Sequence, residues 1–267
     1  MCNELYENWK FDDVCNFLKQ AGYDGVEVAP FTLAPRITDV SPERRAALRA
    51  QAAHAGIQII GLHWLLAGTH GLYLTSPDPT VRSNTAEYIV ALAEAAHDLG
   101  GDLMVLGSPK QRSLLPGVTR QQAFDWAAAL FREVMPRVAD CGVTICMEPL
   151  STAETDFINT CAEAKDLIDA VGHRNFSLHL DVKAMFSEPT PPTELIRQYG
   201  PMAHHFHAND ANRRGPGFGD VDFVPIFQAL RESGYNRWVS VEVFDYKPDP
   251  ETITTKSIEY MQRSLAA

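Results

Sequence analysis

Short hydrophobic runs alternate along the chain with longer stretches in which apolar residues recur at helical spacing. The runs that predict strands are Gly25–Ala29, Ile57–Leu62, Leu103–Leu106, Val143–Met147, Phe176–Leu180, Met202–Phe206 and Trp238–Val243. The stretches that predict helices are Asn8–Ala21, Pro42–Ala55, Thr80–Leu99, Thr119–Cys141, Thr160–Val171, Pro192–Tyr199, Phe223–Ser233 and Glu251–Leu265. Such regular alternation of strand and helix predicts a parallel sheet whose strands are connected through helices.

Residues typical of turns and helix caps support these boundaries. A glycine ends a predicted helix just before a predicted strand at five places, namely Gly22, Gly56, Gly100, Gly142 and Gly234. This is the chemistry expected of the turns that lead from helix to strand at the bottom of a barrel. Ser41 is a candidate N-cap with Pro42 in the first helical position. Thr119 and Gln122 have the spacing of a capping box.

The fold that these elements predict is a single-domain (β/α)₈ TIM barrel spanning residues 1–267. The length suits one barrel of about 250 residues. Seven strands are clear, and Met1–Asn3 is too short to be a good eighth. Either the true start of the chain lies upstream, or the first strand is a stub. An open doubly wound sheet is the alternative, but the glycine-rich turn expected after its first strand is missing, since Gly215–Gly219 lies late.

Composition and charge narrow the classes of function. The chain is 45% hydrophobic and 21% charged, which is ordinary for a soluble globular protein. A formal net charge of −11 argues against a nucleic-acid or anionic-membrane partner. The first 20 residues are too polar for a signal peptide, and no apolar run reaches membrane-spanning length. Five cysteines without a CxxC motif indicate reduced thiols, so we expect a cytoplasmic protein.

Each of the last four predicted strands has one candidate metal ligand near its carboxyl end or directly after it. They are Glu148, Asp181, His207 and Glu242. The carboxyl ends of barrel strands meet at one face, where barrel enzymes carry out their chemistry. Two glutamates, an aspartate and a histidine suit Mn²⁺, Mg²⁺, Co²⁺ or Zn²⁺ better than a soft metal. The sequence therefore predicts one divalent cation bound at this face.

Several motifs resemble those of a known family. They are Gly22–Glu27, Gly61–His63, Met147–Leu150 with Glu154, Leu180–Asp181, His207–Asp210 with Arg213, Pro216–Phe223 and Ser240–Glu242. The chain resembles the sugar phosphate isomerase/epimerase family of xylose isomerase-like TIM barrels, which includes ketose 3-epimerases and inosose-processing enzymes. The resemblance covers nearly the whole chain and is more specific in its second half.

The resemblance implies an enzyme of carbohydrate metabolism that isomerises or epimerises a sugar, a sugar phosphate or a keto-polyol. It assigns a metal, with Mn²⁺ as the expected ion, to Glu148, Asp181, His207 and Glu242. Glu148 and Glu242 would also be catalytic, moving a proton at a carbon next to a metal-chelated carbonyl. Family members are often dimers or tetramers, so a homodimer or homotetramer is expected.

Four further residues are expected to bind the carbohydrate substrate. Glu154 and Arg213 match family positions that contact substrate, with a loop charge as the alternative for each. His63 would donate a hydrogen bond, or else pack in the core. Lys110, together with Arg112 on the same loop, would bind a phosphate or carboxylate, unless this loop is simply solvated. Trp64 and Phe218 are candidate apolar walls, and Glu27 would pair with a basic group or hold a water molecule.

One departure from the family pattern concerns the substrate. Ketose 3-epimerases carry a histidine three residues after the aspartate ligand, where this chain has Ala184. This puts a free ketose in doubt but leaves the metal site intact. The alternative function is a metal-dependent lyase of the same fold, such as a keto-inositol dehydratase or a 3-keto-glycoside eliminase. A DNA-repair endonuclease is less compatible with the charge and the single ligand set, and a non-enzymatic sugar-binding role is the last alternative.

Overall fold

A computed structural model describes all residues, 1–267, and contains seven parallel strands arranged in sequence order around a barrel. The strands are β1 (Gly25–Val28), β2 (Gln58–Leu62), β3 (Leu103–Leu106), β4 (Thr144–Met147), β5 (Phe176–Asp181), β6 (Ala203–Ala208) and β7 (Val239–Val241). The helices are α1 (Phe11–Ala21), α2 (Pro42–Ala55), α3 (Pro79–Leu99), α4 (Arg120–Asp140), α5 (Cys161–Val171), α6 (Val182–Met185), α7 (Pro192–Tyr199), α8 (Phe223–Glu232) and α9 (Pro250–Ala266). The predicted TIM barrel is confirmed.

The first three residues close the barrel between β7 and β1. The Cys2 amide donates to the Val241 carbonyl at 2.9 Å, and the Asn3 amide donates to the Glu27 carbonyl at 3.0 Å. In return, the Glu27 amide donates to the Met1 carbonyl at 2.9 Å. This pattern is that of a very short parallel strand, so the expected stub is present and the open doubly wound sheet is wrong.

The caps and glycine turns behave as the sequence predicts. The Ser41 side chain accepts a hydrogen bond from the Arg44 amide, and Thr119 forms the full capping box with Gln122. Observed helix and strand ends differ from the predicted ones by a few residues at most. The structure adds α6, a single turn that follows β5 directly and that hydrophobic periodicity does not predict.

Most of the hydrophobic side chains form one continuous core between the strands and the surrounding helices. The interior of the barrel is unusually polar, however. Three histidines, His179, His205 and His207, are fully buried there together with Glu27. None of the five cysteines forms a disulfide. The helices are all too short or too polar to traverse a lipid bilayer.

Candidate active site

The four predicted metal ligands converge at the carboxyl end of the barrel. Glu148 follows β4, Asp181 ends β5, His207 lies in β6 and Glu242 follows β7. All four are buried, with at most 6% of any of them exposed. His207 Nδ1 lies 3.0 Å from Glu242 Oε2. Candidate ligand atoms of Glu148, Asp181 and His207 lie within 4.8 Å of one another. Because parallel neighbouring strands end at one face, the order of the chain alone brings these groups together.

Hydrogen bonds hold two of the carboxylates in place. Asn209 Nδ2 donates to Asp181 Oδ2 at 2.5 Å, and the Ala184 amide donates to Asp181 Oδ1 at 2.7 Å. Asp181 is therefore the N-cap of α6, which explains why that turn forms there. Trp64 Nε1 donates to Glu242 Oε1 at 2.7 Å, leaving the other oxygen directed at His207.

The electrostatics of the cluster fit a divalent cation. Burial raises the pKa of Glu148, and the neighbouring carboxylates of Glu242 and Asp181 raise it further. Burial likewise raises the pKa of Asp181. Burial alone would lower the pKa of His207, but Glu27 and Glu242 raise it well above its usual value. A cation bound among these groups would offset the mutual repulsion of the carboxylates, and oxygen and imidazole donors suit the borderline metals.

His179 is a member of the cluster that the sequence did not single out. It precedes Asp181 by two positions on β5, so both side chains point to the barrel interior. Both ring nitrogens are buried without a hydrogen-bond partner, and the ring lies 4.2 Å from that of His207 between centroids. Its candidate ligand atom lies within 4.8 Å of those of Glu148, Asp181 and His207. The two-residue spacing from Asp181 was the available signal.

Two further buried residues, Glu27 and His205, lie on the side of His207 opposite to Glu242. Glu27 Oε2 lies 2.7 Å from His205 Nε2, and both Glu27 oxygens lie 3.2 Å from His207 Nε2. Glu27 therefore pairs with basic groups, one of the two roles expected of it. A carboxylate on one imidazole nitrogen fixes the ring, so that the other nitrogen, Nδ1, is directed at Glu242 and the candidate metal site.

A cavity of about 320 Å³ opens above Glu148 and Glu242. All four residues expected to bind substrate, namely His63, Lys110, Glu154 and Arg213, line its walls. Trp64 also lines it, as expected of an apolar wall, together with Phe244. Phe218 is absent from the lining and instead lies beside the Arg214 guanidinium.

The polar wall residues differ in their bonding. His63 Nε2 lies 2.7 Å from Glu4 Oε2, deep at the base of the cavity. Lys183 Nζ donates to Glu154 Oε1 at 2.7 Å and lies 4.5 Å from the centre of the Phe244 ring. Burial alone would raise the pKa of Glu154, but the hydrogen bond and the charge of Lys183 lower it overall. Lys110 and Arg213 make no ion pair.

The structure corrects the expectation for Arg112. Its side chain is fully buried and does not face the cavity, so it cannot join Lys110 in binding an anion there. Nη1 donates to the Glu148 carbonyl at 2.7 Å, and Nη2 donates to the Ile158 carbonyl at 3.0 Å. Burial lowers the pKa of Arg112 to about 10, so the guanidinium keeps its charge at neutral pH. Sequence reasoning missed its role because a loop arginine is usually exposed.

A family model described as xylose isomerase-like TIM barrel matches residues 15–264. The chain belongs to this family. A curated relative, the D-psicose 3-epimerase of Ruminiclostridium cellulolyticum, is 31% identical over 227 residues, which are 84% of this chain and 74% of that protein. The resemblance inferred from the motifs is thereby confirmed.

Solved structures of similar proteins share the fold over the full chain. A D-psicose 3-epimerase crystallised in the presence of D-fructose has a TM-score of 0.88 at 21% identity, covering 100% of this chain and 99% of that one. The 3-keto-D-glucoside 4-epimerase of E. coli has a TM-score of 0.85 at 20% identity, covering 98% of each chain. Together with the curated relative, these findings confirm the predicted class, an isomerase or epimerase, and do not favour the lyase.

Proposed function

We propose that this protein is a divalent-metal-dependent epimerase that inverts a carbon next to the carbonyl group of a sugar. The observation that carries the proposal is a buried group of candidate ligands, Glu148, Asp181 and His207, with Glu242 3.0 Å from His207. Glu148 and Glu242 both border a cavity. The walls of that cavity hold the residues that the motifs associate with substrate. A structural role alone would not account for three buried carboxylates so close together, because their mutual repulsion is costly.

Glu148, Asp181, His207 and Glu242 would hold the ion, with His179 as a further donor. A divalent ion there supplies a Lewis acid that polarises a sugar carbonyl and makes the adjacent C–H more acidic. We propose Mn²⁺ as the natural ion, since its ligand preference suits this mixture of oxygen and nitrogen donors.

The proton transfer is assigned to Glu148 and Glu242. One carboxylate removes the proton from the carbon next to the carbonyl, and the other returns a proton to the opposite face of the same carbon. Glu148 and Glu242 extend from β4 and β7, which lie apart in the barrel, and both border the cavity. Two bases on separate walls can reach a planar intermediate from opposite sides, which inversion requires.

The substrate is held by the walls of the cavity. In the proposal, Glu154 and Arg213 bind sugar hydroxyl groups, His63 donates from the base, and Lys110 contacts the substrate at the rim. The relatives are named as a 3-epimerase and a 4-epimerase, so the position of inversion differs among similar proteins. Ala184 offers no hydrogen-bonding side chain where ketose 3-epimerases have a histidine, which favours a substrate other than a simple free ketose.

A substrate panel in D₂O tests this function. Free ketoses, ketose phosphates, 3-keto-glycosides and keto-inositols are incubated with metal-stripped protein, with and without added Mn²⁺, and products are followed by NMR. Epimerisation with solvent deuterium at the inverted carbon supports the proposal. Loss of water or of an aglycone would instead support the lyase, and turnover that persists after complete metal removal would contradict it.

Glu148→Gln is the matched variant, because it keeps the shape of the side chain but removes the carboxylate that would serve both as a base and as a metal ligand. We expect it to reduce turnover by about 10²-fold or more, the range for a positioned proton-transfer group. Glu133→Gln, an exposed change on α4, is the control and should leave turnover unchanged.

We further predict a single domain over residues 1–267, a homodimer or homotetramer, the absence of nucleic-acid and membrane partners, and a cytoplasmic location. Light scattering after size exclusion measures the oligomeric state directly.

A further inference from the structure

Arg112 is a charged side chain buried completely beside the site. Its guanidinium has no carboxylate within hydrogen-bonding distance, although buried arginines are usually paired with one. Nη1 and Nη2 instead donate to backbone carbonyl oxygens, while Nε has no partner. A buried cation solvated by carbonyls is costly to keep, so its geometry calls for a functional explanation.

The three carbonyls belong to three separate segments at the carboxyl end of the barrel. Leu106 ends β3 and accepts at 3.4 Å, Glu148 follows β4 and accepts at 2.7 Å, and Ile158 accepts at 3.0 Å from the loop that leads into α5. The Leu150 amide also donates to the Ile158 carbonyl at 3.2 Å. The loop that carries Glu154 runs from Glu148, a proposed metal ligand, to Ile158. The Arg112 guanidinium therefore binds the backbone at both ends of this loop.

The loop that contains Arg112 also limits where the Glu148 carboxylate can lie. A side-chain carbon added to Gly107 would fall 2.3 Å from Glu148 Oε2, so the carboxylate rests against the bare backbone of this loop. The loop itself is anchored, since the Leu74 amide donates to the Gln111 carbonyl and Thr75 Oγ1 donates to the Arg112 carbonyl. Backbone and carboxylate of Glu148 are thus both fixed by residues 107–112.

We propose that Arg112 is a positioning residue that sets the metal affinity through Glu148 and the substrate affinity through the Glu154 loop. The first half of the proposal rests on the metal site of the proposed function, and the second half rests on its sugar substrate. Metal binding is measured without turnover, so the two halves are tested separately. The planar shape of the guanidinium matters as much as its charge. A lysine ammonium has one nitrogen atom and cannot reach the same separate carbonyls.

The experiment uses the full chain with Arg112→Lys and Arg112→Ala. The Mn²⁺ dissociation constant of metal-stripped protein is measured by electron paramagnetic resonance of free Mn²⁺, and the midpoint of thermal unfolding is recorded separately. Free guanidinium at low millimolar concentration is then added to Arg112→Ala, where it can occupy the vacated space. Arg132→Ala is the matched control, because Arg132 also donates twice to one carbonyl, that of Ala170, but at an exposed site far from the cavity.

We expect both Arg112 variants to bind Mn²⁺ about 10- to 100-fold more weakly, the usual effect of removing a group that orients a metal ligand. Guanidinium should recover part of that loss in Arg112→Ala and should not alter Arg132→Ala. On a substrate found in the panel, KM should rise along with the fall in kcat, since Glu154 loses its fixed position.

Two results would overturn the proposal. The first is a lower unfolding midpoint with Mn²⁺ affinity and KM unchanged, which is the signature of a purely structural arginine. The second is a loss in Mn²⁺ affinity that guanidinium does not reduce. If Arg112→Ala does not fold, the proposal is tested by the Mn²⁺ affinity of Arg112→Lys, and an unchanged affinity in that variant would contradict it. If no sugar is turned over by the unaltered protein, the proposed function fails while the Mn²⁺ measurements still test the role of Arg112.

Discussion

Two features of the sequence place the individual side chains at this site, namely the order of the strands and the two-residue period within a strand. The strand order puts Glu148, Asp181 and His207 on neighbouring strand ends, and the two-residue period of a strand puts His205 on the same side as His207. The first could be predicted because it needs only the alternation of strands and helices. The role of Arg112 could not be predicted, because it depends on burial, and burial is set by packing among distant segments. His179 carried one signal, its two-residue spacing from Asp181 on the same strand.

Glu27→Gln tests whether the carboxylate below His207 matters to metal binding. Glutamine keeps the volume but lacks the charge that orients both His205 and His207. We expect Mn²⁺ to bind about 10- to 100-fold more weakly, as for other outer partners of a metal-bound histidine. The measurement is Mn²⁺ titration of metal-stripped protein, and an unaltered dissociation constant would show that the charge of Glu27 is not needed to orient His207.

Lys183→Met tests the ion pair on the cavity wall. Without the ammonium, Glu154 loses a charged hydrogen bond at a site where the lysine is only 12% exposed. Such a bond contributes about 1.5–3 kcal/mol, so KM should rise about tenfold or more. Lys165→Met is the control, since Lys165 pairs with Asp169 on the exposed face of α5. If KM in Lys183→Met stays as close to that of the unaltered protein as KM in Lys165→Met does, this would argue against a substrate role for Glu154.

Among the secondary-structure elements, the long helices are specified by their local sequence. The short helix α6 depends instead on Asp181, a side chain of the candidate site. The capping box at Thr119 and the proline at the start of α2 mark their helices without help from the rest of the fold. Helix α6 has four residues, too few for a hydrophobic period, and begins because Asp181 caps it. It could not be predicted, since its cause is a side chain whose position depends on the assembled barrel.

Thr119→Ala tests the capping box apart from the chemistry. Loss of an N-cap costs about 1 kcal/mol in the free energy of unfolding, or about 2–4 °C in the unfolding midpoint for a protein of this size. Turnover and Mn²⁺ affinity should not change, because Thr119 does not line the cavity. Differential scanning calorimetry measures the shift, and Thr119→Ser, which keeps the hydroxyl, should retain most of the stability.

Across the whole molecule, the proposed metal site links the two halves of the barrel. Its ligands come from β4 to β7, while Glu27 reaches His207 from β1. The first three residues complete the ring by bonding to both β1 and the Val241 carbonyl of β7. The closed topology could be predicted from the order of elements, and a stub at Met1–Asn3 was one of two possibilities for the first strand. The pairing of these residues with both neighbours could not be predicted, since three residues carry no strand pattern.

Metal removal should therefore lower the stability of the entire fold. An ion that binds only the folded state at 100 times its dissociation constant adds about 2.7 kcal/mol, or roughly 5–10 °C in the unfolding midpoint. We expect a chelator to abolish this increment and Mn²⁺ to restore it. The increment should largely disappear in Glu148→Gln, and a midpoint that is insensitive to Mn²⁺ in the unaltered protein would contradict a site among these strands.

The polar interior has a consequence for how this protein can diverge. In most barrels the inner layers are branched hydrocarbons, which can be exchanged for one another with little effect on chemistry. Here His179, His205, His207 and Glu27 occupy that space, so a change that repacks the interior also alters the groups that hold the proposed ion. Mutational drift in this interior is coupled to activity, and new specificities should arise more readily from the loops above the cavity than from the strands beneath it.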